Sequence, residues 1–106
     1  MIDSVNWMAA RIQIVNDDDL TEEIDLGKRY ETLNVYVPTL TSANLTVYVA
    51  EAKGGDYVAL GNGVTVTAGT GAFWDIWDIG GHQFLKIGTS AGQAADRMFR
   101  VMGVRS

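Results

Sequence analysis

Apolar and polar side chains alternate with a period of two through most of this chain, and that period constrains the fold more than any other feature. Leu33, Val35 and Val37 alternate with Thr32, Asn34 and Tyr36, and Leu45, Val47 and Val49 alternate with Asn44, Thr46 and Tyr48. Ala10, Ile12 and Ile14 alternate with Arg11, Gln13 and Val15. Such a repeat sends successive side chains to opposite faces of an extended strand. The runs are rich in Val, Thr, Ile and Tyr, whose branched or flat side chains pack well on a pleated surface. Residues 64–68, 72–77, 84–89 and 97–105 extend the pattern, and 22–26 and 56–60 read as shorter strands.

Turn signals separate these runs. Gly54-Gly55 reads as a hairpin turn. Gly61-Asn62-Gly63, Gly69-Thr70-Gly71 and Gly80-Gly81 read as turns of the second half, where glycine enters the left-handed region most cheaply. Pro38 is expected to close a strand because it has no N–H for a ladder, and 39–43 then forms a polar connection. Only 90–95 could form a helical turn; Gly92 weakens it, and the segment reads as a loop. Strands spaced at roughly ten residues predict an antiparallel two-sheet β-sandwich, jelly-roll-like, with about eight strands.

The 106 residues suit one domain, residues 1–106, with 1–9 as an N-terminal arm ahead of the first clear strand. A hydrophobic content of 47% with 20% charged residues excludes a disordered chain. The formal net charge of -5 and the scatter of the 8 basic residues argue against nucleic acid, whose phosphates each ask for Lys or Arg. The absence of cysteine removes disulfides, thiolate metal sites and thiol nucleophiles together. The first residues have neither a basic start nor an apolar run, so no signal peptide is expected. No stretch approaches the ~18 apolar residues of a membrane span, and no membrane partner is expected.

Two runs break the one-face rule. Trp74 and Ile76 share one face of their strand, while Phe73 and Trp77 share the other with Asp75. In the last strand Phe99 and Val101 share one face, and Met98, Met102 and Val104 the other. Tyr36 and Tyr48 add outward aromatic surface. Either the chain's own loops or arm cover the second apolar face, or another subunit does, since aromatics, Met and Arg are enriched at interfaces. On the second reading Phe73 or Trp77, with Met98 and Met102, touches another chain. Trp7 either packs on its own domain or reaches a neighbour, and Arg100 is placed to pair with an acidic residue of one. The candidate interface is therefore Trp7, Tyr36, Tyr48, Phe73, Trp74, Trp77, Met98, Arg100 and Met102.

No catalytic set emerges. His82, the single histidine, stands in Gly80-Gly81-His82-Gln83 and reads as a loop residue without a catalytic partner. There is no G-x-S-x-G elbow. Asp75 and Asp78, three apart on a strand, fall on opposite faces and do not form the paired carboxylates of a glycosidase. The glycine pairs lack the helix and lysine of a phosphate loop. Asn16-Asp17-Asp18-Asp19 offers hard oxygen ligands, so calcium stays open there, but the spacing of a calcium loop is absent and a solvated acidic loop is the plainer reading. Neither an enzyme, nor a cofactor, nor a resident metal is expected.

The residues IDLGKRYETLNVYVP from Ile24 to Pro38 run into TSANLTVYVA from Thr41, followed by DYVAL from Asp56, QFLKIGTSAG from Gln83 and the strand from Arg97 to Arg105. This succession resembles small virion structural proteins of tailed bacteriophages. It implies a β-sandwich on the particle, with capsid decoration (cement) proteins as the leading type. Such proteins bind the major capsid protein on the capsid surface, commonly as homo-oligomers such as trimers, after assembly in the host cytoplasm. Other members resemble carbohydrate-binding sandwiches of tails or baseplates, with Trp74, Trp77, Tyr36 and Tyr48 as the stacking candidates here. Their long turn is replaced by Lys53-Gly54-Gly55-Asp56-Tyr57, a departure that counts more against the sugar-binding type than the structural one.

Overall fold

Two long strands carry most of the structure. In the computed structural model, which describes residues 7–61 and 65–104, every helix-or-strand element is a strand: β1 (Met8–Ile12), β2 (Ile24–Ala50), β3 (Val58–Ala59), β4 (Thr65–Thr89) and β5 (Arg97–Val104). The fold class is all-β, and each pairing is antiparallel. The hydrogen bonds define one five-stranded sheet in the order β1-β5-β2-β3, with β4 also on β2. Among the described residues no helix is long and apolar enough to cross a membrane. Residues 1–6 of the expected arm, Asn62 and Gly63 of one expected turn, Val64 and Arg105 lie outside the described residues. The rest of the arm differs from expectation, because Met8 and Ala9 already belong to β1, opposite Val101 and Arg100.

Five strands stand where the sequence predicts about eight, because bends replace turns. β2 is 27 residues long and unites three runs of alternation; β4, 25 residues long, unites three more. Their pairing shifts register between Asp25 and Tyr30, between Tyr30 and Thr32, and again between Thr39 and Ala43. Such irregularities bend a strand without ending its ladder. Gly69-Thr70-Gly71 and Gly80-Gly81 lie inside β4 at these bends. Gly71 shows why: its φ is 75°, and a β-carbon there would collide with the carbonyl oxygen of Pro38. Pro38 likewise sits within β2, between the pairs Val37–Phe73 and Thr39–Gly71. Pairing of β2 with β5 ends at Tyr36, so that side of β2 is an edge where a missing N–H is tolerated.

The β2–β4 ribbon curls back on itself. Along one course β4 pairs β2 from Ile24–Leu85 to Thr46–Thr65; its residues 84–89 also pair with 45–50, so that Phe84 and Leu85 are paired on both sides. Leu85 consequently has Ile24 on one side and Val49 on the other. With no helix among the described residues to cover a sheet face, the apolar side of one part of the curl is covered by another part. Leu33, Val35, Val37, Leu45, Val47, Leu85, Ile87, Phe99 and Val101, each fully buried, form one cluster with Ala10, Ile12 and Ile79. Each such large side chain contributes ~1.5–3 kcal/mol on burial.

Polar staples close the remaining gaps. Thr21 is buried, and its hydroxyl accepts from Ile87 N at 2.9 Å and donates to Glu22 O at 2.9 Å. The acidic loop clasps the segment after β4: Thr89 N donates to Asp19 O at 2.8 Å and Gln93 N to Asp18 O at 2.7 Å.

Candidate functional site

One face of the sheet, across β1, β5, the first half of β2 and the middle of β4, points away from the core. The registers Tyr36–Arg100 and Tyr36–Trp74 bring three strands side by side at one level, and Ala9–Arg100 adds the fourth. One step along, Asn34 faces both Met102 and Ile76. Because partners in register share a face, Tyr36, Trp74, Ile76, Arg100, Met102 and Met98 all lie on this outer side. Trp7, just before β1, folds onto it.

At its centre the side chains form a cage. The rings of Trp7 and Trp74 meet edge to face with centroids 5.1 Å apart, and Tyr36 meets Trp74 at 5.1 Å with a tilt of 57°. The Arg100 guanidinium lies 5.6 Å from the Trp74 ring centre, 5.7 Å from Tyr36 and 5.9 Å from Trp7. Those are cation–π distances, each worth ~0.5–1 kcal/mol where solvent reaches the pair. The cage fixes where a positive charge stands, although every member stays accessible. Around it the apolar surface continues: Trp74 is 50% exposed, Ile76 68% and Met98 49%.

The structure divides the sequence-predicted interface. Trp7, Tyr36, Trp74, Met98, Arg100 and Met102 come together on this face. Phe73 and Trp77 do not, and here the expectation is corrected. Trp77 is buried at 3% exposure opposite Leu33, and Phe73 packs against the core opposite Val37. Their strand is apolar on both sides, so alternation alone does not tell which side meets the core. The register with Leu33, Val35 and Val37 decides it. Asp75 shares their side, where its Oδ2 accepts from the indole Nε1 of Trp77 at 3.0 Å. Tyr48 lies on the later part of β2, opposite Ala59 and Lys86, with its ring over Gly88. Ile76 is the residue the sequence reading leaves out of the interface; its place two residues after Trp74 is the available signal.

The other candidates are structural in their surroundings. His82 lies within β4 opposite Tyr30, in a shallow hollow of about 250 Å³ with Arg29, Glu51 and Gln83. No serine or carboxylate is hydrogen-bonded to it among the described residues. Asp17, Asp18 and Asp19 are exposed and bring carboxylate oxygens within 4.8 Å of one another. Asp17 is held below the ordinary carboxylate value by the hydrogen bond from the Asp19 side chain. Asp19 is pushed up by the same bond, then by burial and the neighbouring negative charges. Two backbone oxygens a cation would want, Asp18 O and Asp19 O, already accept from Gln93 and Thr89.

A second polar group ties the β2–β3 connection down. Tyr57 donates its hydroxyl to Glu23 Oε2 at 2.5 Å, and Gly54 N donates to the same oxygen at 2.7 Å. The Lys86 ammonium lies 4.8 Å above the Tyr57 ring. The hydrogen bond from Tyr57, then that from Gly54, keeps the Glu23 carboxyl below its ordinary value, while burial and then Glu23 push the Tyr57 hydroxyl up.

No protein-family model and no curated sequence matches the chain. In three dimensions it is similar to the crystal structure of the SPBc2 prophage-derived protein YomS, with a TM-score of 0.57. The two are 14% identical, and the superposition covers 97% of this chain and 96% of that one. The chain thus shares, over nearly its whole length, the all-β fold of a prophage-derived protein.

Proposed function

We propose that the chain is a phage virion structural protein acting as a capsid decoration (cement) protein, one that binds the major capsid protein and stabilises the shell. The observation that carries this reading is the outer sheet face, where three aromatic rings, Arg100, Ile76 and Met98 stay accessible beside a core that is already complete. The likeness to a prophage-derived protein supports the phage context at the level of fold. In this reading the curled sheet works as a jelly-roll-like two-sheet sandwich, one layer presenting the face and the other backing it.

Burial of each large apolar side chain is worth at most ~1.5–3 kcal/mol, and association takes back part of that. A handful of such contacts per copy suffices for occupancy, and bound copies stabilise the shell by mass action. The role has no turnover, cofactor or metal. Assembly takes place in the host cytoplasm, and the final location is the capsid surface, with copies grouped as a homo-oligomer, a trimer among the forms. The alternative, a carbohydrate-binding module of a tail or baseplate, needs a flat ring open on one face. Trp74 has Trp7 edge-on and Tyr36 tilted against it, which makes the poorer platform.

Mass spectrometry of purified particles from a host carrying the coding region tests the reading. The chain is expected in the particle fraction at a copy number comparable to the capsid lattice. Its absence from particles overturns the proposal, and binding on a glycan array that Trp74→Ala abolishes would favour the module instead.

A further inference from the structure

We infer that the Arg100 cage is a carboxylate-reading anchor, and that the segment docking on it carries one Asp or Glu side chain flanked by apolar residues. The inference rests on the outer face being a protein-binding surface and names the chemistry of the partner. Three rings hold the guanidinium in place at 5.6 to 5.9 Å, and a guanidinium offers five N–H donors. Among the described residues none of those donors is hydrogen-bonded, and no carboxylate lies within ion-pair distance of Arg100. The basic residue of the neighbouring strand differs: Arg11, on β1, pairs with Glu22 at 3.7 Å. Among the described residues, Arg100 is therefore the one cation of this face without an acidic partner, centred in apolar surface.

That arrangement selects among occupants. A polyanion needs several cations in a row; the second cation of this face, Arg11, is paired with Glu22, so nucleic acid does not fit. A second copy docked two-fold through the same face would set Arg100 against its own symmetry mate, a like-charge contact in a desolvating interface. A single carboxylate between apolar side chains matches both features. It accepts a bidentate pair of hydrogen bonds from the guanidinium, while its neighbours cover Trp74, Ile76 and Met98.

The test titrates the full chain with capped peptides holding one Glu between Leu and Trp, against the same peptides with Gln, followed by NMR of the Arg100 Nε–H and the indole N–H signals of Trp7 and Trp74. Sodium acetate serves as the carboxylate-only control. The Glu peptides are expected to shift all three signals and to bind at least about tenfold more tightly than the Gln peptides, a preference lost in Arg100→Gln, whose thermal midpoint falls slightly with the lost ring contacts but whose unfolding stays cooperative. Equal binding of Glu and Gln peptides, no binding of either up to their solubility, or acetate binding as tightly as the Glu peptides overturns the inference. So does self-association through this face in light scattering that Arg100→Gln strengthens. The two readings separate cleanly: particle-bound chain whose Arg100→Gln variant keeps full occupancy refutes the anchor alone, while Glu-selective binding by a chain missing from particles refutes the decoration role alone.

Discussion

The side-chain amide of Gln93 pairs with the backbone of Thr41 as an adjacent strand would: Oε1 accepts from Thr41 N at 2.8 Å, and Nε2 donates to Thr41 O at 3.0 Å. Gln93 also donates to Ala91 O and accepts from Arg97 Nε, and it is buried. It completes the ladder where β2 bends and loses its pairing register. Gln93→Ala leaves Thr41 N and O without their side-chain partner, while Ala91 O keeps the Thr89 hydroxyl, and is expected to cost about 1–3 kcal/mol, with Gln93→Glu no better because a carboxylate cannot donate to the Thr41 carbonyl. Equilibrium urea unfolding measures this; a loss below a few tenths of a kcal/mol contradicts it.

Trp74 and Trp77, three residues apart, are expected to behave oppositely. Trp77→Ala empties part of the core and breaks the hydrogen bond to Asp75, at a cost of about 3–5 kcal/mol. Trp74→Ala removes exposed ring contacts alone, at about 1 kcal/mol. Thermal unfolding of the two variants side by side checks the assignment of faces, and equal losses would count against it.

The alternation at Leu33, Val35, Val37, Leu45 and Val47 is enough to place these residues in the core and to identify an all-β chain. The division of strands is not legible in the same way. Glycine marks a change of backbone direction, and a bend inside a strand asks for the same positive φ as a turn between strands, so Gly71 and Gly80 read alike in sequence. For the site, the aromatic surplus is visible, but which side of Trp74–Trp77 it falls on depends on pairing with residues some forty positions away. The Gln93 staple has no local signal at all, because its partner Thr41 is brought to it only by the fold.

The bends supply their own comparison. Gly71→Ala must satisfy a φ of 75° and push the new β-carbon away from Pro38 O, whereas Gly80→Ala meets a φ of 68° with open space around it. Gly80→Ala is expected to cost about 1–2 kcal/mol from the left-handed backbone alone, and Gly71→Ala clearly more. Chemical denaturation reads both; the reverse order would show that the ribbon does not bend where described.

Acid should weaken the fold through Glu23 and Asp25. Hydrogen bonds from Tyr57 and Gly54 hold Glu23 below its ordinary 4.5, and those from Gln83 and Gly27 hold Asp25 below 3.8. A carboxyl whose value is lowered by folding binds fewer protons in the folded state. Its contribution is therefore full above the ordinary value and is lost as pH falls through the lowered one. The thermal midpoint is expected to drop as pH falls below 4.5, less steeply in Glu23→Gln, and Tyr57→Phe should return the Glu23 titration toward its ordinary value in carboxyl NMR. A Glu23 midpoint unmoved by Tyr57→Phe contradicts this cause.

Oxidative footprinting of the chain, free and bound to purified particles, bears most directly on the outer face as the surface of attachment. Trp74 and Met98 are exposed in the free chain and Trp77 is buried. The expected result is that oxidation of Trp74 and Met98 falls several-fold on particles while that of exposed residues elsewhere is unchanged. Undiminished oxidation of Trp74 and Met98 in particle-bound chain would contradict the assignment.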